Sequence, residues 1–371
     1  MDNRRRPRTK KKLRITPRFL IVCAAALVLV AGAIGAYYLL NRSTVQQAAL
    51  TETPFTANDQ FVYVGNGFFY IQGQELYYPD PANSKNTLHV GVTNSVVRLA
   101  ASNTIYALYN DVSVKIIGEE FPVEFAGTLT SVQCGKSYIA ALRKDASGEE
   151  SIEVFGQNGA KYDTISAGDQ YIVDYGFFEG DSEYLYVVGL TVNSSAPLST
   201  ITIYNISRKS TSGVIQVQSQ LVEDMRFTRG SIYTVGTNQI SRYALSDNTK
   251  SYSVTIYGWK VMDYYPAARP VFLLRPRSGT ALGTVKLLQI SDDGIAATTE
   301  QQLQLPASTL DAFLMNGKLV AVSANGYTTY DMNGRQTGEY TFASPVDRVQ
   351  KLDSTTLLLY AGSACYTTKI A

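Results

Sequence analysis

Short runs rich in Val, Ile, Tyr, Phe and Thr recur through most of this chain, and turn residues break them at regular intervals. Examples are FVYVGNGFFYI (61–71), TIYALYN (104–110), SIYTVG (231–236), KLVAVS (318–323) and TLLLYAG (356–362). β-Branched and aromatic residues suit a pleated, half-buried surface. After residue 54 no amphipathic helix of useful length interrupts them. Asn158-Gly159, Asp293-Gly294, Asn325-Gly326 and Asn333-Gly334 tolerate positive φ, so each predicts a tight hairpin.

The runs group into a repeat of four strands. Units start near Gln60, Val96, Ser131, Tyr171, Val222, Val261, Leu310 and Val346, at spacings of 35 to 51 residues. Two spacings are long because of polar stretches, NSSAPLST (193–200) and PRSGTALG (276–283), which read as extended loops. A four-stranded unit of about 40 residues has the period of a propeller blade. The fold class is therefore all-β, a β-propeller of eight blades, or seven if one boundary is misplaced. The last unit, 346–371, has room for about three strands. Residues 45–57 precede the first unit and would supply the missing outer strand, which removes an open sheet edge. Paired β-sandwiches would show a composition break near the middle, and a β-helix a shorter, stricter period; neither is visible.

The N-terminus is of another kind. Phe19 to Leu40 is an uncharged run of 22 residues, FLIVCAAALVLVAGAIGAYYLL. At about 1.5 Å per residue it is as long as a hydrocarbon core is thick. Nine basic residues and one acid lie in residues 1–18, which carry +8 while the rest carries −6. Basic flanks stay cytoplasmic, so the expectation is a tail at 1–18, a transmembrane helix at 19–40, a stalk at 41–54 and an extracytoplasmic domain at 55–371. A cleaved signal peptide with its site at Ala31-Gly32-Ala33 is the rival, but the apolar run continues to Leu40. A lipoprotein at Cys23 has only four apolar residues before it. A short basic tail beside an apolar run suits anionic headgroups, not nucleic acid, which asks for a basic folded face.

Composition removes several chemistries. Three cysteines without partner spacing give neither a disulfide framework nor a zinc pattern. A single histidine, His89, argues against a triad or a histidine metal site. No G-x-S-x-G, HExxH, P-loop or GxGxxG is present. Gly65-Asn66-Gly67 reads as a hairpin. No catalytic and no cofactor-binding residue is assigned.

One pattern stands out. Asp174, Asp224, Asp263, Asp311 and Asp347 each open a unit close behind an apolar residue. In a propeller these positions would ring one mouth of the central channel. Clustered carboxylates suit a hard cation such as calcium, or a cationic ligand. Equally, each Asp can accept backbone N–H bonds where the chain turns from blade to blade. Tyrosines are the second pattern. Tyr63, Tyr106, Tyr138, Tyr186, Tyr233 and Tyr257 fall in strand runs and read as packing. Tyr77-Tyr78-Pro79 and Tyr264-Tyr265-Pro266 read as surface, since Pro marks a strand end.

The four-strand repeat and its closing scheme resemble WD40-like and quinoprotein-like propellers. The whole layout of basic tail, single span and propeller resembles an uncharacterised family of envelope proteins of Gram-positive bacteria. The Trp-docked repeat of quinone enzymes is absent, with Trp259 alone, and so is the GH…WD signature. No functional residue carries over. The resemblance implies a non-enzymatic, membrane-tethered module that binds an envelope protein or cell-wall partner. The alternative is an extracytoplasmic hydrolase or lyase acting on glycans or peptides through acids at the channel mouth.

Overall fold

The computed structural model describes residues 45–370 except 66, 80–89, 92–96, 180–181, 193–195, 229, 280–281 and 292–297, together with Val30 and Gly32. The chain divides into two units, 1–45 and 46–371. In the first, Val30 and Gly32 are helical and exposed. No helix among the described residues is long and apolar enough to cross a membrane. The expected tail, the span apart from Val30 and Gly32, Cys23, His89, Asn66 of the Gly65–Gly67 hairpin and the expected Asp293-Gly294 turn lie outside the described residues.

The second unit is eight antiparallel sheets in chain order. Their inner strands are Gln60–Tyr63, Arg98–Ala101, Thr128–Cys134, Tyr171–Glu179, Val222–Thr228, Trp259–Tyr265, Thr309–Met315 and Arg348–Lys351, in blades 1 to 8. Blades 1 to 7 continue through second, third and outer strands in sequence order. Blade 8 takes its outer strand from the other end of the chain: Thr51–Thr56 pairs antiparallel with Ala364–Lys369. Just before it, Gln46–Gln47 adds a fifth strand to blade 7, parallel to Gln336–Thr341.

Eight apolar clusters lie between successive blades, and they show that the ring is closed. Leu76 and Phe69 of blade 1 pack with Leu108 of blade 2. Ile203 and Ile215 of blade 4 pack with Met225 and Ile232 of blade 5. The series ends where Leu358 and Tyr360 of blade 8 meet Tyr70 of blade 1 around Phe55. Burial follows strand order. The second strands SIYTVG, VFLLRP and KLVAVS are buried on both faces over most of their length and are mostly apolar. Outer strands such as KSYSVT are half exposed.

Blade 4 departs from the sequence reading. Its strands of 9, 9, 8 and 9 residues make the unit long, and the end of the stretch taken as a loop, Leu198 to Thr200, already belongs to the strand Leu198–Asn205. Asn325-Gly326 departs too. The two-residue turn is Ala324-Asn325, and Gly326 pairs with Ser323 in the ladder. A Cβ on Gly326 would stand 1.9 Å from the Tyr340 carbonyl oxygen, so close backbone approach requires this glycine.

Candidate functional site

The inner strands of blades 4 to 7 share one irregularity. Each slips by one residue against its second strand, between Ile172 and Asp174, Val222 and Asp224, Val261 and Asp263, and Thr309 and Asp311. A bulge bends the strand and re-aims the side chain beside it. In all four the aspartate follows the slip, and its Oδ1 accepts the N–H of the next residue: Tyr175 at 2.9 Å, Met225, Tyr264 and Ala312 at 2.8 Å. Blade 3 has the same slip with Ser131 in the acid's place, and Ser131 hydrogen-bonds the Tyr175 hydroxyl at 2.9 Å. The inner strands of blades 8, 1 and 2 pair without a slip.

The second carboxylate oxygen differs from blade to blade. Lys351 reaches from blade 8 past blade 7 and donates to Asp263 Oδ2 at 2.7 Å and to the Leu314 carbonyl at 2.8 Å. The Leu314 N–H donates to the same Asp263 oxygen at 2.7 Å. Asp224 Oδ2 pairs with Arg226 at 2.6 Å. Asp174 Oδ2 accepts from the Tyr186 hydroxyl at 3.2 Å. Burial pushes the carboxyl pKa values of Asp174, Asp224 and Asp311 upward. Neighbouring acids add to this: Asp224 acts on Asp174, and Asp263 on Asp224 and Asp311. The four acids thus form an electrostatically connected arc along the inner strands.

Asp347 does not join it. It precedes the inner strand of blade 8, is exposed, and accepts the Gly362 N–H at 3.1 Å in the last hairpin. With no slip between the inner and second strands of that blade, nothing turns the side chain towards the other four. Among the described residues, no group of three or more His, Cys, Asp and Glu side chains is placed to hold a metal ion.

The tyrosines need correcting in both directions. Tyr257 stands in the turn between blades 5 and 6 and is 79% exposed, so it is not strand packing. Tyr77 and Tyr78 are half-buried, stacked on Tyr70 at 4.8 Å and tilted against Tyr106 at 5.3 Å. Tyr264 is buried among the residues joining blades 5 and 6. A proline ends each run, but the rings before it point into the seams between blades.

The sequence reading missed a cleft of about 1210 Å³ between blades 4 and 5. Its floor is an aromatic stack, with Phe178 against Phe227 at 4.0 Å and against Tyr184 at 5.2 Å. The hairpins Arg208–Ser212 and 245–248 supply a rim of hydroxyls, one guanidinium and the Asn248 amide. Asn248 sits at φ +59°, and its Oδ1 is buried with no hydrogen-bond partner among the described residues. Its Nδ2 occupies the place a Cβ on Gly213 would take. The only trace in the sequence was the aromatic ending of two inner strands, Phe177-Phe178 and Phe227.

No protein-family model and no curated protein matches the chain. Solved structures do. The WD40 domain of SCAP from fission yeast superposes with a TM-score of 0.56 over 87% of this chain and 98% of its own, at 8% identity. This chain folds as an eight-bladed, WD40-like β-propeller. The Dos1 propeller is similar at a TM-score of 0.47, with 9% identity over 88% of this chain and 95% of that one. A chain of the mitotic checkpoint complex is similar at 0.46, with 8% identity over 89% and 93%. At such identities the WD40-like likeness describes the backbone and transfers no residue's role.

Proposed function

We propose that this propeller is a binding or scaffolding module for an envelope protein or a cell-wall component, held on the outer side of a bacterial-type membrane by a single span. One observation carries the binding part: the arc's acids are occupied by the protein itself. Each accepts a backbone N–H, and Asp224 and Asp263 also hold a cation. A glycan hydrolase needs two carboxyls facing each other across room for substrate. The cleft between blades 4 and 5 has that room, but among the described residues no acid lines it. The anchor rests on the uncharged run Phe19–Leu40 and the basic residues before it. Calcium has no part in this reading, and a calcium titration is expected to leave the melting temperature unchanged.

A second reading, a hydrolase or lyase acting on glycans or peptides, draws on the raised carboxyl pKa values of Asp174 and Asp224, a property general acids share. One experiment separates the two. The intact protein is purified by affinity from membranes, as wild type and as Asp174→Asn/Asp224→Asn. A binding module returns the same partner with both chains. A pull-down without any partner overturns the binding reading. Loss of glycan or peptide cleavage in the double variant alone would establish the enzyme.

A further inference from the structure

The outer edge of a blade is a row of unpaired N–H and C=O groups that invites another strand. Proteins usually block such edges with charge, proline or shortness. Among the described residues, seven of the eight outer strands follow the rule. That of blade 2, Val123–Glu124, is two residues long, as is the described part of that of blade 1, Val90–Gly91. Blade 3 carries Lys161 and Asp163, blade 5 Lys250, and blade 6 Glu300. Blade 7 carries Glu339 and is covered by Gln46–Gln47. Blade 8 carries Glu52 and Pro54. Blade 4 alone breaks the rule: Ser210–Gln218, STSGVIQVQ, has nine residues and neither a charge nor a proline. Among the described residues nothing pairs with its outer side.

We infer that this edge pairs with the same edge of a second copy, antiparallel about a two-fold axis. Such an interface presents one patch twice, so the patch must be complementary to itself. Ser210–Gln218 meets that demand. With no charge in the strand, no register sets like charges opposite each other. From Gly213 onward the faces alternate: Ile215 and Val217 are buried, while Val214, Gln216 and Gln218 are exposed. Pairing about Gln216 sets Ile215 opposite Val217 on the core side. On the solvent side it sets Gln216 opposite Gln216, two amides that can donate to and accept from each other. Val214, 51% exposed in the single chain, then meets Gln218 of the other copy. The chain already adds a strand to an outer edge by backbone bonds, as Ala48 N–H donates to the Thr341 carbonyl at 2.9 Å beside blade 7.

The test uses the full chain in detergent micelles, with mass from light scattering and melting followed in parallel. Wild type should be a dimer at micromolar concentration. Gln216→Lys and Gln216→Glu should each weaken association at least tenfold while melting as wild type does, because like charges then face each other at the axis. Mixing the two variants should restore a dimer, an outcome misfolding cannot give. Thr164→Lys on the outer strand of blade 3 should leave the dimer intact. A wild-type chain that stays monomeric overturns the inference. So does a dimer insensitive to Gln216→Lys, which would place the contact elsewhere, residues 1–45 included. An edge occupied by another protein's strand would appear as a monomer carrying that protein, and it too overturns self-pairing.

Discussion

In blades 4 to 7 the inner strand carries a bulge and an aspartate; in blades 8, 1 and 2 it carries neither. The unbulged arc contains the seam, where residues more than 300 positions apart in the chain must meet. There Thr53 Oγ1 donates to the Cys365 carbonyl at a separation of 312 residues. Closing a loop of that length costs about 5 kcal/mol from the logarithmic part alone. At the seam Phe55 stacks on Phe61 at 4.6 Å and meets Phe68 edge-on at 4.8 Å, and the Tyr63 hydroxyl of blade 1 donates to Asp353 of blade 8 at 2.7 Å. The bulged arc joins strands near in sequence, and it concentrates half-buried charge. Aromatic packing thus concentrates at the one junction whose loss opens the ring. The chain of half-buried acids lies in blades that their local contacts already fix.

Breaking the seam should have the largest effect. Deleting residues 46–56 removes the outer strand of blade 8 and the added strand of blade 7. The expected result is loss of cooperative thermal unfolding, not a shift in its midpoint. Phe55→Ala is the milder form. Phe55 is 2% exposed, and emptying such a site costs about 3–5 kcal/mol, read by denaturant titration. A cost below 1 kcal/mol would mean that the ring closes by backbone pairing alone.

Within the arc, Lys351 is the sharpest probe. Its side chain is 21% exposed and that of Asp263 is 14% exposed. Lys351→Met leaves Asp263 with two N–H donors and no cation, at a cost of about 3 kcal/mol. Adding Asp263→Asn to Lys351→Met should recover part of that loss, because the uncompensated charge is then gone. If the double variant is worse than the single one, the aspartate's hydrogen bonds matter more than its charge.

The pH dependence should come from the same arc. Burial raises the Asp311 carboxyl pKa above 3.8 in the folded state. The folded protein therefore holds that proton more tightly than the unfolded chain does. This contribution favours folding at low pH and is lost as pH rises from 3.8 through the raised value. Asp311→Asn keeps an oxygen to accept the Ala312 N–H and removes the titration. Its melting temperature should match wild type near pH 3.5 and exceed it at pH 7. Equal melting at both pH values would show that the folded site does not raise that pKa.

Much of the propeller was legible because period and burial are written along the chain. Second strands such as Val271–Pro276 begin with unbroken apolar runs, and a four-strand period of 35 to 51 residues fits little else. The closing strand was legible because the last unit was one strand short. The acids were legible as a series, but their setting was not. A bulge is a slip between two strands, and the sequence of one strand does not state its register with another. The partners of Asp263 come from blades 7 and 8, 51 and 88 residues away, which no local pattern encodes. The cleft between blades 4 and 5 was invisible for the same reason: its rim consists of two ordinary hairpins that meet only in the ring.

Asp347 marks the boundary between the two arcs and gives the smallest predicted effect. By spacing it belonged with Asp174, Asp224, Asp263 and Asp311; by position it is a solvent-exposed residue of the closing blade. Its carboxylate accepts one exposed N–H, from Gly362 at φ +61° in the final turn. Glycine needs little help in that conformation. An exposed hydrogen bond is replaced by water at little cost, so Asp347→Ala should stay within about 0.5 kcal/mol of wild type. A loss of more than 1 kcal/mol would show that the seam also depends on charge, and the contrast between the arcs would then be one of degree.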